Sequence, residues 1–248
     1  MKRAIILLAL ILGPVSWKSG AAAYQPAVLR AIHLQNEEED FAARREAMVT
    51  RQIARRDIDD PGVLAAMRAV PRHRFVPASE LRQAYTDQPL PIGYGQTISQ
   101  PFIVAYMCQI AHLDSTSRVL EVGTGSGYHA SVMAQIADTV YTMEIVPQLA
   151  DRAQATITSL GYDNIVARTA DGYYGWPEAA PFDAIVVTAA PESIPPPLVR
   201  QLAEGGRMVI PVGHPFLTQY LVLVEKKGDR VSSRQLMPVR FVPFTGDH

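Results

Sequence analysis

The residues best placed to do chemistry form one short run, Val119-Leu120-Glu121-Val122-Gly123-Thr124-Gly125-Ser126-Gly127-Tyr128. An apolar strand there delivers the chain to a glycine-rich turn, where missing side chains let the backbone approach a ligand, and a helix N-terminus follows. A dinucleotide fingerprint needs glycine at the sixth place of G-x-G-x-x-G, but Tyr128 stands there and Gly127 comes one residue early. The resulting E-x-G-x-G-x-G spacing favours S-adenosylmethionine over a nicotinamide dinucleotide. Glu121, Gly123, Thr124, Gly125, Ser126 and Gly127 are the first candidates for contact with that cofactor.

Two further acids follow in order. Glu144 closes the run Val140-Tyr141-Thr142-Met143, the place at which a doubly wound sheet puts a carboxylate that accepts from ribose hydroxyls. A solvated strand end is the plainer account of an acid there, yet no other acid lies near that strand end. Asp171-Gly172 follows the next apolar run, with Asp171 able to accept from an adenine amino group and Gly172 keeping the loop close. Alone, the pair reads equally well as an ordinary turn. Three matches in the correct order on consecutive strands are harder to assign to chance than any one.

Other chemistries find no support. The six histidines are scattered, without H-E-x-x-H or paired-cysteine spacing, so no metal site is expected. Gly125-Ser126-Gly127 lacks the G-x-S-x-G elbow of a hydrolase. Cys108 is the only cysteine, which rules out an intrachain disulfide, and its apolar helical surroundings place it in the core.

The elements that must hold these residues alternate from Arg118 onward between short apolar runs and amphipathic helices, the pattern of parallel strands joined by crossovers. Strands are expected at 118–122, 140–145, 164–170, 182–188, 207–212, 219–224 and 235–241, and helices at 128–137, 147–160 and 195–203. Only Lys226-Lys227-Gly228-Asp229 separates the last two strands, which predicts a C-terminal antiparallel hairpin. The fold class is therefore α/β, a doubly wound, mostly parallel, Rossmann-like sheet with an N-terminal helical extension. In that extension, residues 40–57 read as an exposed amphipathic helix. Asp60-Pro61 reads as an N-cap with proline at the first helical position, and Pro71 ends the helix it starts. A loop-rich stretch, 72–100, precedes another helix from Pro101 to about His112.

Of the 248 residues, 48% are hydrophobic and 19% charged, which fits a packed soluble core and excludes wholesale disorder. Met1-Lys2-Arg3, the apolar run Ala4 to Val15 and Ala21-Ala22-Ala23 stand in the order of a secretory signal, too short for a comfortable membrane span. The expected organisation is a signal peptide at 1–23, a flexible leader at 24–39 and one catalytic domain at 40–248. Export, to a periplasm, follows if the signal is cleaved, and cytoplasmic residence if it is not. Cleavage after Ala23 removes Lys2, Arg3 and Lys18 and no acid, moving the formal net charge from −1 to −4. A mildly acidic chain is a poor partner for nucleic acid, which is bound by clustered Lys and Arg.

Beyond the cofactor motif, Gly95-Gln96-Thr97-Ile98-Ser99-Gln100-Pro101 resembles the signature loop of the protein L-isoaspartate (D-aspartate) O-methyltransferase family. Phe182 to Pro191, Leu202 to Arg207 with Pro211-Val212-Gly213, Val70-Pro71-Arg72 with Phe75-Val76, and Val239 to Pro243 are similar to further segments of it. The resemblance covers residues 40 to 245. It implies the class I S-adenosylmethionine-dependent methyltransferase fold, damaged proteins or peptides as substrates, and transfer of methyl to the free α-carboxylate of L-isoaspartyl residues, with D-aspartyl residues in the family's name. A succinimide would then form and hydrolyse partly to normal aspartate. By the same resemblance, Gln96, Thr97 and Ile98 line the substrate side, Ser99 is the active residue, Glu144, Asp171 and Gly172 hold the cofactor, Thr245 approaches it, and the enzyme is a monomer; the short apolar run independently predicts no stable membrane insertion. Val104 departs from the histidine of some members at the matching position.

The chemistry needs no general base. A carboxylate is already nucleophilic at neutral pH, and a sulfonium releases its methyl without protonation. Ser99 is then better cast as a hydrogen-bond donor that positions the carboxylate than as a nucleophile, its other natural role being to cap the helix at Pro101. Val239 to Phe244 reads either as a strand that a substrate peptide joins by strand addition or as an ordinary sheet strand. Two alternatives stand beside this reading: a methyltransferase for another carboxylate acceptor, which the signature loop opposes, and an exported binding protein that keeps the fold without catalysis. Turnover on an isoaspartyl peptide separates the main reading from both, and tight donor binding without such turnover supports the last.

Overall fold

The computed structural model describes residues 21–247. The proposed signal up to residue 20 lies outside the described residues. Helix α1 spans Ala21–Met48, so the segment expected as a flexible leader is helical. Its alanine-rich, charge-rich sequence favours helix without repeating an apolar face, which is why no period marks it. The compact unit that carries the site begins at Phe41. The helix expected over 40–57 ends earlier as an α-helix and continues as one wider turn, Val49–Ile53, with Val49 and Ile53 buried.

Helix α2, Pro61–Ala69, starts as its sequence requires: the Asp60 carboxylate accepts from the Val63 N–H at 2.9 Å, and Pro61 needs no donor at the first position. The stretch read as loop contains a small antiparallel hairpin, β1 (Leu90–Gly93) and β2 (Gln96–Ile98), missed because each strand has four residues or fewer. Gly93, Tyr94 and Gly95 at its turn all have positive φ, which two glycines make accessible. Ile92 and Ile98 turn into the core and fix which face of the hairpin looks outward. Beneath it, buried Arg72 donates to the Ala84 carbonyl and lies 4.8 Å from the Tyr128 ring. Burial lowers its guanidinium only to about 10, so it stays charged.

Helix α3, Pro101–Ala111, precedes the main sheet, whose elements are β3 (Arg118–Val122), α4 (Tyr128–Ala134), β4 (Thr139–Glu144), α5 (Pro147–Ser159), β5 (Ile165–Thr169), β6 (Phe182–Val187), α6 (Pro196–Arg200), β7 (Leu202–Val212), β8 (Gln219–Lys227) and β9 (Arg230–Val239). Their order in the sheet is β5-β4-β3-β6-β7-β8-β9. The first five in that order run parallel, and β8 and β9 are antiparallel additions. Alternate residues divide between two cores: Val119, Ala184, Val186 and Val209 face α2 to α5, whereas Leu120, Val122, Ile185, Val187 and Met208 face α6 and the turns around Trp176. Two buried faces explain why these strands read as unbroken apolar runs.

Several boundaries moved: α4 ends at Ala134 and β8 runs on to Lys227, and two shifts have a clear cause. The last crossover helix was expected to reach Ala203, but α6 stops at Arg200 because β7 already begins at Leu202, with a register break opposite Phe182 and Ala184. Gly205-Gly206 lies in that break. The final strand begins at Arg230 rather than residue 235, since β9 is an exposed edge strand whose early residues are largely polar. The winding reverses at β3, which has β4 on one side and β6 on the other. The crevice beyond the carboxyl ends of these strands is where sheets of this kind bind ligands.

Candidate active site

A cavity of about 760 Å³ opens at that switch point. Its walls come from the turn after β3, the ends of β4 and β6, the bend after β5, the outer rim of the β1–β2 hairpin and the C-terminal segment 242–245. Among the sequence candidates, Gln96, Thr97, Ile98, Ser99, Gly123, Thr124, Gly125, Ser126, Glu144, Gly172 and Thr245 line it. Glu121, Gly127 and Asp171 do not.

The turn is built from bare backbone. Gly123 has φ +100°, and a Cβ there would fall 2.2 Å from Thr188 Oγ1, whose hydroxyl donates to the Gly123 carbonyl at 2.6 Å. The Gly123 and Thr124 N–H groups donate to the Met143 carbonyl at 2.8 and 3.0 Å, tying the turn to the end of β4. Gly127 is the N-cap of α4, with φ +85°, and a Cβ there would crowd Ile157 at 3.1 Å and Ala153 at 3.4 Å.

Glu144 is almost fully buried. Its Oε2 accepts from Gly125 N–H at 2.7 Å, and its Oε1 from Ile145 and Val146 N–H at 3.0 and 2.9 Å. A carboxylate offers about four acceptor sites, so about one, on Oε2, is left for a ligand hydroxyl. Asp171 works locally: Oδ1 accepts from Tyr173 N–H at 2.9 Å and caps the short turn Gly172–Tyr174, while Oδ2 accepts from Asp247 N–H at 3.1 Å. Gly172 beside it is on the wall, and a Cβ there would meet Val122 Cγ1 at 2.2 Å.

Glu121 was expected to touch the cofactor but lies beneath the turn, fully buried. Thr142 donates to its Oε2 at 2.5 Å, and the Thr142 and Thr124 hydroxyls are 2.6 Å apart. Removal from water pushes its carboxyl up to about 8, with Glu144 adding to the rise. Glu121 therefore acts on the cavity through Thr142 and Thr124. Beside it, Cys108 Sγ lies 3.4 Å from His129 Nε2. Burial lowers the imidazole to about 3 and raises the thiol, so both are neutral. His129 lines the cavity, as does Val104, yet no motif singled His129 out because it falls two residues past the last glycine of the run.

Ser99 is not the helix cap. The residue flanking α3 is Gln100, without a side-chain cap, and Asp87 does the work from a distance. Its Oδ1 accepts from Phe102 N–H at 2.9 Å and its Oδ2 from Gln100 Nε2 at 2.8 Å. The Ser99 hydroxyl is left for other partners. A second cavity, about 1040 Å³, adjoins the first, and Thr97, Ser99, Thr188 and Val242 line both.

The C-terminal segment crosses the junction. Ala190 N–H donates to the Val242 carbonyl at 2.9 Å, Phe244 N–H donates to the Ala190 carbonyl at 3.0 Å, and the Gln219 side chain bonds both backbone groups of Phe241. These groups are committed within the chain, and Pro243 has no N–H. Within the segment 239–244, one of whose two readings was strand addition, residues 241–244 therefore have few free groups to use.

A family model for protein-L-isoaspartate(D-aspartate) O-methyltransferase (PCMT) matches residues 43–248. A curated protein-L-isoaspartate O-methyltransferase of Opitutus terrae is 61% identical over 201 residues, 81% of this chain and 86% of that protein. One from Nitrosospira multiformis is 57% identical over 212 residues, 84% of this chain and 90% of that protein. A solved protein-L-isoaspartate O-methyltransferase superposes with TM-score 0.76 at 30% identity, covering 82% of this chain and 66% of the other. Another, from Plasmodium falciparum in complex with S-adenosyl-L-homocysteine, gives 0.69 at 28% identity, covering 81% and 97%.

Proposed function

We infer the activity from a plain premise: the chain belongs to the protein-L-isoaspartate (D-aspartate) O-methyltransferase family. It is an enzyme that transfers methyl from S-adenosylmethionine to the free α-carboxylate of L-isoaspartyl residues in damaged proteins. The observation that supports the assignment of roles is the position of Ser99 and Thr97 on the wall shared by two cavities, which we read as the donor and the acceptor site.

The first cavity fits S-adenosylmethionine. Bare backbone at Gly123 and Gly172 leaves room where a Cβ would collide, and Glu144 keeps about one acceptor site open. Met143, Ile145, Ala170 and Val242 supply apolar wall. When bound there, the cofactor supplies an electrophilic methyl on a positively charged sulfur. The acceptor carboxylate would take that methyl while the carbon–sulfur bonding pair stayed with sulfur, giving a neutral ester and a neutral thioether, so no residue of the chain has a proton to move.

The chain's own contribution is positioning and desolvation. The Ser99 hydroxyl donates to the acceptor carboxylate and holds one oxygen toward the cofactor cavity. The 242–244 segment, bonded to Ala190, covers the junction and keeps water from it. Such orientation is worth up to ~7–11 kcal/mol in well-aligned systems. The acceptor differs from aspartate by a longer main chain and a carboxylate on the α-carbon, so the second cavity recognises a peptide main chain rather than a deep side-chain group.

The N-terminal order of Lys2-Arg3, apolar run and Ala21-Ala22-Ala23 supports export of the enzyme to a periplasm, and cell fractionation tests it. Sequence resemblance supports a monomer, which light scattering of the chain lacking residues 1–23 tests. The activity itself is tested with methyl-labelled S-adenosylmethionine and paired peptides differing only in isoaspartate against aspartate. Base-labile label on the isoaspartyl peptide alone is expected; label on both, or on neither, overturns the assignment.

A further inference from the structure

Among the described residues, the acceptor cavity is lined by two charged side chains, Arg56 and Arg240, and by no carboxylate. The two are not equivalent. The Arg56 guanidinium lies 3.4 Å from the centre of the Phe102 ring and pairs with Asp87 Oδ2 at 2.7 Å, so its charge is matched within the protein and its place is fixed. Arg240 is exposed and has no ion-pair or hydrogen-bond partner among the described residues. Its stem is nonetheless anchored. It leaves the end of β9 at Val239, and the next residue, Phe241, is held through both backbone groups by Gln219.

We propose that Arg240 selects acidic substrates, pairing with a carboxylate side chain close in sequence to the isoaspartyl residue. The proposal rests on the reading of this cavity as the acceptor site. A guanidinium stays charged at any working pH and offers a planar fork of donors to a carboxylate. Left unmatched on the cavity wall, it gains from an acidic partner and repels a basic one. The reacting carboxylate is a poorer partner for it. That group loses its charge during transfer, so a cation upon it favours the ground state over the transition state and slows the reaction. A flanking side chain keeps its charge throughout, and the contribution appears in KM rather than kcat.

The test uses isoaspartyl peptides identical except for Glu, Gln or Lys at the positions flanking the isoaspartate, assayed with the full enzyme at low and high salt. At low salt, kcat/KM is expected to be about threefold to tenfold higher for Glu than for Lys, carried by KM and shrinking as salt rises. Arg240→Gln should make the three peptides nearly equivalent, and Arg240→Glu should reverse the order. Equal wild-type kinetics on all three, or a preference that survives Arg240→Gln, would overturn the proposal. So would a uniform loss across the series in Arg240→Gln, which would place the guanidinium on the reacting group. Failure to methylate any isoaspartyl peptide would overturn the acceptor reading itself, and the proposal with it.

Discussion

Glu121 offers the sharpest test of how the cofactor turn is supported. Its carboxyl is buried, and its titration moves from the ordinary value of 4.5 to about 8, first because burial removes it from water. A carboxyl raised in this way stabilises the fold fully below pH 4.5, and the stabilisation is lost as pH rises through 8. At about 1.4 kcal/mol per pH unit, the displacement from 4.5 to about 8 sets a ceiling of about 5 kcal/mol, a large share of a typical domain's stability. His129 works in the opposite sense: its imidazole falls from 6.5 to about 3, so its contribution is present above 6.5 and lost as pH falls through 3. Between about 4.5 and 6.5 the two slopes oppose, and Glu121 is exposed alone only from about 6.5 to 8. Glu121→Gln mimics the protonated acid and removes one slope. Urea denaturation from pH 5 to 8.5 should show the variant gaining on the wild type steadily as pH rises, by several kcal/mol overall. Parallel profiles across that range would mean that Glu121 is ionised throughout and that its burial carries no such cost, refuting the account of the network beneath the turn.

Ser99→Ala should lower kcat about 10- to 100-fold, the loss of a hydrogen bond to a charged group, while calorimetry finds S-adenosylhomocysteine affinity nearly intact. Glu144→Ala removes the acceptor for three backbone N–H groups as well as the remaining ligand site, and calorimetry should show that affinity falling about 100-fold or more. Asp87→Ala strips α3 of its remote cap and Arg56 of its partner; a loss of about 2 kcal/mol in denaturation and a raised KM for peptide are expected, with cofactor affinity little changed.

What the sequence disclosed was local. Asp60-Pro61 announced α2 because an N-cap and its helix lie within four residues, and the glycine run announced the turn because its geometry is set by adjacent φ angles. Glu144 was legible from its place at a strand end. Asp87 was not: it caps α3 from fifteen residues away, and nothing near it in sequence marks that partnership. Ser99 was accordingly offered a capping role that Asp87 fills. Glu121 and Asp171 were assigned to the ligand because their types and positions suit it. Their partners, Thr142 for one and Asp247 for the other, are brought in only by the sheet and the chain's end. The 242–244 cover on Ala190 is likewise a contact across more than fifty residues.

That division follows the work each half of the site performs. The donor is a fixed molecule, and its cavity stands on the carboxyl ends of parallel strands that are buried on both faces, where backbone N–H groups and glycine gaps are held by the sheet. The acceptor is a damaged residue met in many different chains, and the cavity proposed for it is bounded by a short hairpin, the start of α3 and the C-terminal segment. Those parts are held at a few points: Phe241 by Gln219 of β8, Val242 and Phe244 by Ala190 beyond β6, and the start of α3 by Asp87. Loosening any of them should therefore alter peptide binding before it alters cofactor binding, whereas a change beneath the glycine turn should reverse that order. Asp87→Ala and Glu144→Ala, assayed side by side for both ligands, expose the asymmetry directly.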